Sequence, residues 1–152
     1  MHDSPSDFGE FVDLVRPRLA RAFVAAYGPE RAQEALAEAM AYAWEHSDRV
    51  VSMGNPAGYL FRVGQSRTRQ RRQPVLFPPA VADRTPGVEP ALPAALAELT
   101  ERQRVCTVLS HAYGWTHVEI GELLGLSRSS VQNHIDRGIA HLRLAIGEVL
   151  DA

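Results

Sequence analysis

The fold is decided by residues 115–143, WTHVEIGELLGLSRSSVQNHIDRGIAHLR. Two segments with apolar residues at helical spacing are separated here by Gly125 and the two residues that follow it. Thr116 and Glu119 have the spacing of a capping box, which predicts that a helix begins there. Gly125 permits the positive φ of a tight turn, and Ser127 can cap a second helix. The stretch therefore predicts two helices joined by a short turn.

These two helices have the spacing of a helix-turn-helix. Gly121 allows the helices to approach closely, and a small core fixes the angle between them; that core is predicted to consist of Leu124, Leu126, Val131 and Ile135. The candidate DNA-reading residues of the second helix are Arg128, Ser129, Ser130, Gln132, Asn133 and Arg137. Arg, Gln and Asn are suited to bidentate contacts with base edges. A plain helical hairpin with a solvated polar face is the alternative, and the combination of caps, glycines and apolar positions favours DNA binding.

The rest of the chain also has helical patterns. Asp7 and Glu10 have capping-box spacing, so the first helix is predicted to begin at Asp7. Pro17 predicts a kink or a restart of the helix near Arg16. Asn55 followed by proline predicts the start of another helix after a loop over residues 47–54. After the prolines, a short helix over residues 94–99 is expected, and the capping-box spacing of Thr100 and Gln103 predicts the start of the next helix. The pattern predicts an all-α fold.

A dense group of prolines divides the chain. Six of the ten prolines lie between Pro74 and Pro93, where such density excludes helix and disfavours a central strand. We therefore expect a first helical domain at residues 1–73, a Pro-rich linker at 74–89 and a second helical domain at 90–152. Two small domains on an extended tether should move relative to each other; the alternative is that residues 75–77 dock on a domain and close the molecule.

Composition excludes several classes of protein. With 152 residues, 45% hydrophobic and 22% charged, the chain has an ordinary globular composition. A single cysteine gives no internal disulfide, and no apolar run is long enough for a membrane span. We expect a cytoplasmic protein without membrane insertion. The net charge of −2 hides one basic block, residues 49–82, which contains six arginines and no acidic residue.

That basic block contains a second candidate nucleic-acid site. Its arginine cluster consists of Arg62, Arg67, Arg69, Arg71 and Arg72. Tyr59 and Phe61 come just before it, and basic charge beside aromatic rings suits single-stranded nucleic acid. The alternative is that the aromatic residues belong to the core, which we favour for at least one of them, while phosphate contact is favoured for the arginines.

Other groups carry weaker signals. The histidines lack the paired spacing of a zinc site, so no metal or cofactor is expected. Glu34 and Glu38 form an acidic stripe on one helix without a nucleophile or phosphate loop, which is typical of a solvated or partner-facing surface rather than of a catalytic pair. Trp44 and Trp115 are expected to be core anchors.

Residues 91–146 resemble the promoter-recognition domain, region 4, of bacterial sigma factors. The similarity lies in LTERQR at 99–104, EIGELLGLS at 119–127, SVQNHI at 130–135 and RGIAHLR at 137–143. Residues 8–73 resemble region 2 more loosely, with NPAGYLFRVG at 55–64 similar to the beginning of its third helix. The two regions joined by a short linker look like the extracytoplasmic-function class.

The resemblance implies partners and roles. In this family region 2 binds the polymerase clamp and melts the minus-ten element, and region 4 binds the minus-thirty-five element and the polymerase flap. Glu34 and Glu38 match the acidic positions of the polymerase-binding helix. Ala37 departs from the Gln that is usual on that helix. Beyond the beginning of the third helix, Ser66 stands where Asn is usual and Gln70 where Asp is usual.

The leading function is therefore a non-enzymatic promoter-specificity subunit, with core RNA polymerase and promoter DNA as partners. One alternative is a stand-alone helix-turn-helix regulator. A second is a sigma-like protein that binds an anti-sigma factor and touches no promoter. The two domains and the arginine cluster favour the first interpretation, and the three departures favour the others.

Overall fold

The computed structural model describes residues 5–68 and 91–151. Eight helices account for most of these residues, and none of the described residues lies in a strand. In chain order the helices are α1 (Pro5–Tyr27), α2 (Pro29–Glu45), α3 (Ser47–Val51), α4 (Pro56–Thr68), α5 (Leu92–Glu98), α6 (Glu101–His111), α7 (His117–Leu124) and α8 (Arg128–Asp151). No described helix combines the length and apolar character that crossing a bilayer requires. The predicted linker lies outside the described residues.

The first half is a bundle in which α1, α2 and α4 pack on one another. Its centre holds Leu19, Phe23, Leu60 and Phe61, all fully buried, with the rings of Phe23 and Phe61 stacked at 5.0 Å. Gly28 has a φ of 82°, a left-handed conformation that reverses the chain between α1 and α2. The all-α prediction is thus confirmed.

Gly64 allows the close packing of α4. A Cβ atom at this position would lie 2.3 Å from the Phe23 Cζ and 3.0 Å from the Ala35 carbonyl oxygen. Glycine within a helix costs about 1 kcal/mol relative to alanine. Here that cost is offset because α4 can lie directly against a fully buried aromatic ring on α1 and the backbone of α2.

The second half, α5–α8, is organised by local caps. Thr100 and Thr116 each accept a hydrogen bond from the backbone N–H three residues on, at 3.2 and 3.1 Å, and both capping boxes are complete. Helices α6 and α8 pack closely at Gly138, where a Cβ would lie 2.3 Å from Thr107 Oγ1. The predicted short helix is Leu92–Glu98 instead of residues 94–99.

The two halves contact each other directly. Helix α1 packs on α6, α4 packs on α7, and one cluster of buried side chains runs through both halves. The Pro-rich linker predicted two domains that move relative to each other. In the structure the two halves instead pack together in a closed arrangement. The contact is made by the described helices themselves. Residues 75–77 lie outside the described part of the chain.

Arg104 is the polar centre of the contact between the halves. Its side chain is 3% exposed. The guanidinium donates to the carbonyl oxygens of Ala25 and Ala26 at the end of α1, the latter at 2.7 Å, and to those of Leu96 and Leu99 at the end of α5, the latter at 2.8 Å. Burial lowers the pKa of this guanidinium from its ordinary value. The positive charge lies where the dipoles of two helix C-termini favour a cation.

The Ala25 carbonyl needs the Arg104 guanidinium as a donor because of a proline four residues further along the chain. In a continuous helix, the Ala25 carbonyl would accept from the N–H of residue 29. That residue is Pro29, the first residue of α2, and proline has no N–H. The carbonyl is thus left without its helical partner, and Arg104 satisfies it from 79 residues away.

Two local predictions were wrong. Helix α1 begins at Pro5, not at Asp7, and continues through Pro17. Asp13, whose carbonyl loses its helical partner at Pro17, is exposed to water, so the missing hydrogen bond is tolerated. The loop predicted over residues 47–54 contains α3, and the fully buried Val50 contributes the packing that stabilises so short a helix.

Candidate nucleic-acid interface

Helices α7 and α8 form the predicted helix-turn-helix. Gly125 ends α7 in the left-handed conformation, with φ 70°. A Cβ at Gly121 would lie 2.5 Å from the Leu126 carbonyl oxygen, and the Leu126 N–H donates to the Gly121 carbonyl at 2.9 Å. Ser127 accepts from the Ser130 N–H at 3.2 Å and so caps α8. Only glycine at position 121 leaves room for this turn.

The core of the motif differs from the prediction at its leucines. Val131 and Ile135 are buried as predicted, but Leu123 is 2% exposed, whereas Leu124 and Leu126 are only half-buried. Leu124 instead lines the cleft between the two halves. The sequence pattern could not separate two adjacent leucines at the end of a short helix.

The candidate DNA-reading side chains share the outer surface of α8. Arg128, Ser129, Gln132, Asn133 and Arg137 are exposed. Ser130 is half-buried and contacts the capping Ser127 hydroxyl at 3.1 Å. The Gln132 side chain donates to Asp136 Oδ1 at 2.8 Å, which orients its amide along the helix. The first turns of α8 therefore present polar side chains to solvent, with nothing in the described structure covering them.

The arginine cluster is described only in part. Arg62 and Arg67 lie on α4 and are exposed, while Arg69, Arg71 and Arg72 lie outside the described residues. The two described arginines line an open pocket of about 300 Å³ together with Tyr42, Tyr59, Val63 and Ser66. An aromatic and basic pocket therefore exists where the sequence predicted contact with a single strand.

Tyr42 on α2 is a member of this pocket that sequence reasoning missed. Its hydroxyl is 2.9 Å from the Tyr59 hydroxyl, and this hydrogen bond raises the pKa of Tyr42 above its ordinary value. The guanidinium carbon of Arg67 lies 5.7 Å from the Tyr42 ring centroid, and that of Arg49 lies 5.7 Å from the Tyr59 ring. Each ring thus already has a cation close to it.

The other aromatic residues divide between core and surface. Phe61 is fully buried, which confirms the core interpretation for one of the two aromatics beside the cluster. Trp115 is 7% exposed, as expected for an anchor, and Arg18 stacks 4.5 Å from its ring. Trp44 contradicts its prediction: it is 72% exposed, and its ring centroid lies 5.5 Å from that of Phe8 in a T-shaped arrangement.

The acidic stripe lies on α2 beside α4. Glu38 pairs with Arg67 at 3.1 Å, and both side chains are 43% exposed. Glu34 is exposed on the same helix. The pair with Arg67 places part of the stripe at the edge of the aromatic pocket, so the acidic and basic surfaces of the first half adjoin.

No three potential ligands come together as a metal site among residues 5–68 and 91–151. His134 is half-buried, with its Nδ1 unpaired, and burial together with the charges of Arg102 and Arg137 lowers its pKa. His141 instead contacts Glu98 at 3.0 Å and ties α8 to α5. The histidines thus serve the packing of the second half.

A cleft marks the junction of the two halves. It has a volume of about 260 Å³ and is lined by α4 on one side and by α6 and α7 on the other. Gln65 donates to Glu101 across it at 2.5 Å, and the Asn55 amide donates to the Glu122 carbonyl at 2.6 Å. Asn55 also caps α4 by accepting from the Gly58 N–H, so one side chain performs both tasks.

Comparison with known proteins agrees with this geometry. Residues 90–142 match the family described as sigma-70, region 4. The whole chain is similar in structure to the sigma factor RpoE from Bartonella quintana, solved in complex with the anti-sigma factor NepR, with a TM-score of 0.61, 18% identity, and coverage of 93% of this chain and 98% of that chain. It is also similar to CnrH, solved in complex with the cytosolic domain of CnrY, with a TM-score of 0.62, 22% identity, and coverage of 98% and 90%. No curated protein sequence matches the chain.

Two independent observations therefore agree: the sequence of residues 90–142 matches sigma-70 region 4, and the fold is similar to that of the solved RpoE and CnrH structures. Residues 90–142 therefore match sigma-70 region 4, and the described helices have the all-α fold of the solved RpoE and CnrH structures.

Proposed function

We propose that the chain directs core RNA polymerase to specific promoters and helps to open the duplex. The observation that carries this proposal is the exposed polar surface of α8 in a region 4 helix-turn-helix. Gln132 and Asn133 lie near the N-terminus of α8, the end that enters the major groove in such motifs. The role needs no catalytic activity or cofactor, and it places the chain in the cytoplasm with the chromosome.

The first half would then hold the melted strand. Arg62 and Arg67 supply charge for phosphates, and the rings of Tyr42 and Tyr59 offer surfaces on which bases stack. Arg69, Arg71 and Arg72 would extend the same charge along the chain. The pocket thus combines the two properties that single-strand capture requires.

The base-reading role predicts a change in sequence preference. Gln132→Ala should cost roughly 1–3 kcal/mol on the best promoter and relax the preference at one or two positions. Arg62→Ala should weaken all sequences alike and lower the salt dependence by about 0.7 to 0.9 in slope, because it removes a phosphate contact. The measurement is holoenzyme binding to a promoter library at several salt concentrations, with run-off transcription from the selected promoters.

The outcomes separate the candidate functions. Uniform loss of affinity for Gln132→Ala would remove the base-reading role from α8. Promoter binding by the free chain, without any run-off product from the holoenzyme, would indicate the stand-alone regulator. If the chain neither binds promoters nor supports transcription, the remaining candidate is the sigma-like interaction protein.

We further propose that Glu34 and Glu38 contact the polymerase. The double substitution Glu34→Gln and Glu38→Gln should lower retention of core polymerase in a pull-down by at least several-fold, because it removes both charges from the proposed interface. Circular dichroism should remain unchanged, since both side chains lie on the surface of α2.

The Glu38–Arg67 pair requires a matched control. Arg67→Gln breaks the same pair and leaves both acidic charges in place. If Arg67→Gln lowers polymerase retention as much as the double variant does, the acidic charges are not the determinant.

An anti-sigma factor is a further partner that we propose. The solved RpoE structure is a complex with such a factor. In this chain, Trp44 on α2 and Leu14 on α1 are each 72% exposed, which is unusual for large apolar side chains and provides a surface on which a partner could pack.

A further inference from the structure

Asp136 is an acidic residue among the neutral and basic side chains that α8 presents to solvent. It is exposed and lies one turn after Gln132, and the two side chains are neighbours because residues four apart share one side of a helix. Burial of Val131 and Ile135 directs both side chains outward. A carboxylate repels the phosphates of DNA, so Asp136 lowers the general affinity of this surface for DNA. A gain in specificity would offset that loss.

The hydrogen bond between the two side chains determines which way the Gln132 amide faces. The amide nitrogen lies 2.8 Å from Asp136 Oδ1. A carboxylate accepts hydrogen bonds and donates none, so the nitrogen of the amide must face Asp136 and its oxygen must face away. One of the two N–H groups is thereby engaged. The amide retains its oxygen as an acceptor and its second N–H as a donor.

This remaining pair of groups matches adenine better than guanine. In the major groove adenine presents the N6 amino donor beside the N7 acceptor, and an oxygen and one N–H can satisfy both. Guanine presents two acceptors, N7 and O6. An unrestrained amide can turn its NH₂ group toward them, whereas a restrained amide would place its oxygen against one of them. The contact with Asp136 therefore disfavours guanine.

We propose that Asp136 is a positioning residue for base reading, which holds the Gln132 amide so that this side chain selects adenine over guanine. The inference rests on the proposed function, because it requires that α8 enters the major groove of a promoter. Asp136 acts through Gln132 and needs no contact of its own with the DNA. Without this partner, the exposed amide would be free to turn and to read either purine.

A simpler interpretation is that the pair only stabilises α8, since glutamine and aspartate four residues apart add slightly to the stability of a helix. Under that interpretation, removal of the Asp136 carboxylate changes the affinity for every promoter alike, through stability or through charge. The choice of base would then remain as it was. The choice of base is therefore the quantity that separates the two interpretations.

The test measures the binding of holoenzyme, formed from core polymerase and the full chain, to a promoter library. It compares the parent, Gln132→Ala, Asp136→Ala and the double variant. The position that Gln132 reads is the one at which Gln132→Ala changes the base preference. At that position Asp136→Ala should lower the ratio of adenine to guanine affinities about two- to tenfold, the value of one hydrogen bond. In the Gln132→Ala background the same substitution should leave the ratio unchanged.

Glu122→Gln is the matched control for charge. It removes one acidic charge from an exposed side chain of the neighbouring helix α7 and leaves the pair of Gln132 and Asp136 intact. It should leave the ratio of adenine to guanine affinities as in the parent. An equal fall in the ratio for Glu122→Gln and Asp136→Ala would overturn the proposal, because loss of charge alone would then explain the result.

Two further results would overturn it. An unchanged ratio for Asp136→Ala, with an altered preference for Gln132→Ala, refutes this inference alone and leaves the base-reading role of α8 in place. An equal effect of Asp136→Ala with and without the Gln132 side chain would show that Asp136 acts on the base directly. If Gln132→Ala changes no base preference, the base-reading part of the proposed function fails, and this inference fails with it.

Discussion

Replacing Arg104 by methionine should destabilise the protein by about 3–5 kcal/mol, the largest effect that we expect from a single polar substitution. Methionine fills much of the same volume but donates nothing, so carbonyl groups at the ends of α1 and α5 lose their partner. Each buried carbonyl left unsatisfied costs about 1–3 kcal/mol. For a chain of this length the melting temperature should fall by roughly 10 °C.

The neighbouring Arg102 provides the control for this prediction. It is exposed, and Arg102→Met should change the free energy of unfolding by no more than about 0.5 kcal/mol. Urea unfolding of the two variants and the parent makes the comparison. A loss below about 1 kcal/mol for Arg104→Met would show that water can replace the guanidinium and that the contact between the halves does not depend on it.

Gly64→Ala should destabilise the first half by about 1–3 kcal/mol, although alanine is the better helix former. The added methyl would lie 2.3 Å from Phe23 Cζ, and Phe23 is fully buried against Phe61. The Phe23 ring cannot turn away from the new methyl without displacing its neighbours. The methyl cannot move away from the ring either, because the Ala35 carbonyl oxygen would lie 3.0 Å from it. Thermal unfolding measures the loss.

Two further variants isolate the steric cause. Gly9→Ala lies in α1 with nothing within 4 Å of the new Cβ, so it should be neutral or stabilising by up to about 1 kcal/mol. Combining Gly64→Ala with Phe23→Leu should cost less than the sum of the single changes, because the smaller side chain vacates the contested space. Additive losses would place the strain elsewhere.

The features that the sequence predicted well are local ones. The two capping boxes and the turn at Gly125 involve residues three to five positions apart, and their geometry is fixed by backbone hydrogen bonds within one turn of helix. The exposed surface of α8 followed in the same way, since burial of Val131 and Ile135 determines which side of the helix faces out. No distant contact was needed for these predictions.

The features that were missed depend on distant contacts. Tyr42 joins the aromatic pocket through Tyr59, 17 residues away on another helix. Arg104 belongs to the LTERQR motif at 99–104, but its burial depends on α1, almost 80 residues earlier. The one available signal was Pro29, which leaves the Ala25 carbonyl without its helical donor. Periodicity cannot identify the side chain that satisfies such a group.

Trp44 was placed in the core because large aromatic side chains usually lie there. Its neighbours on α2 that are fully buried, Ala35, Ala39 and Ala43, are small. Small residues allow α2 to lie close to α1 and α4, which leaves no space for an indole on that side. The alanine spacing, rather than the tryptophan, marked the buried face.

The hydrogen bond of 2.6 Å between the Asn55 amide and the Glu122 carbonyl holds the start of α4 in the first half against α7 of the helix-turn-helix. Promoter elements centred near positions ten and thirty-five lie about 25 base pairs apart, or roughly 85 Å along the duplex at 3.4 Å per base pair. The closed chain is therefore far too short to reach both. Each ~1.4 kcal/mol that opening costs lowers the open fraction, and with it the apparent affinity for a complete promoter, about tenfold. Under the proposed function, binding to polymerase holds the two DNA-binding surfaces at the distance that separates the two promoter elements. The free protein does not occupy promoters, because its two surfaces lie too close together.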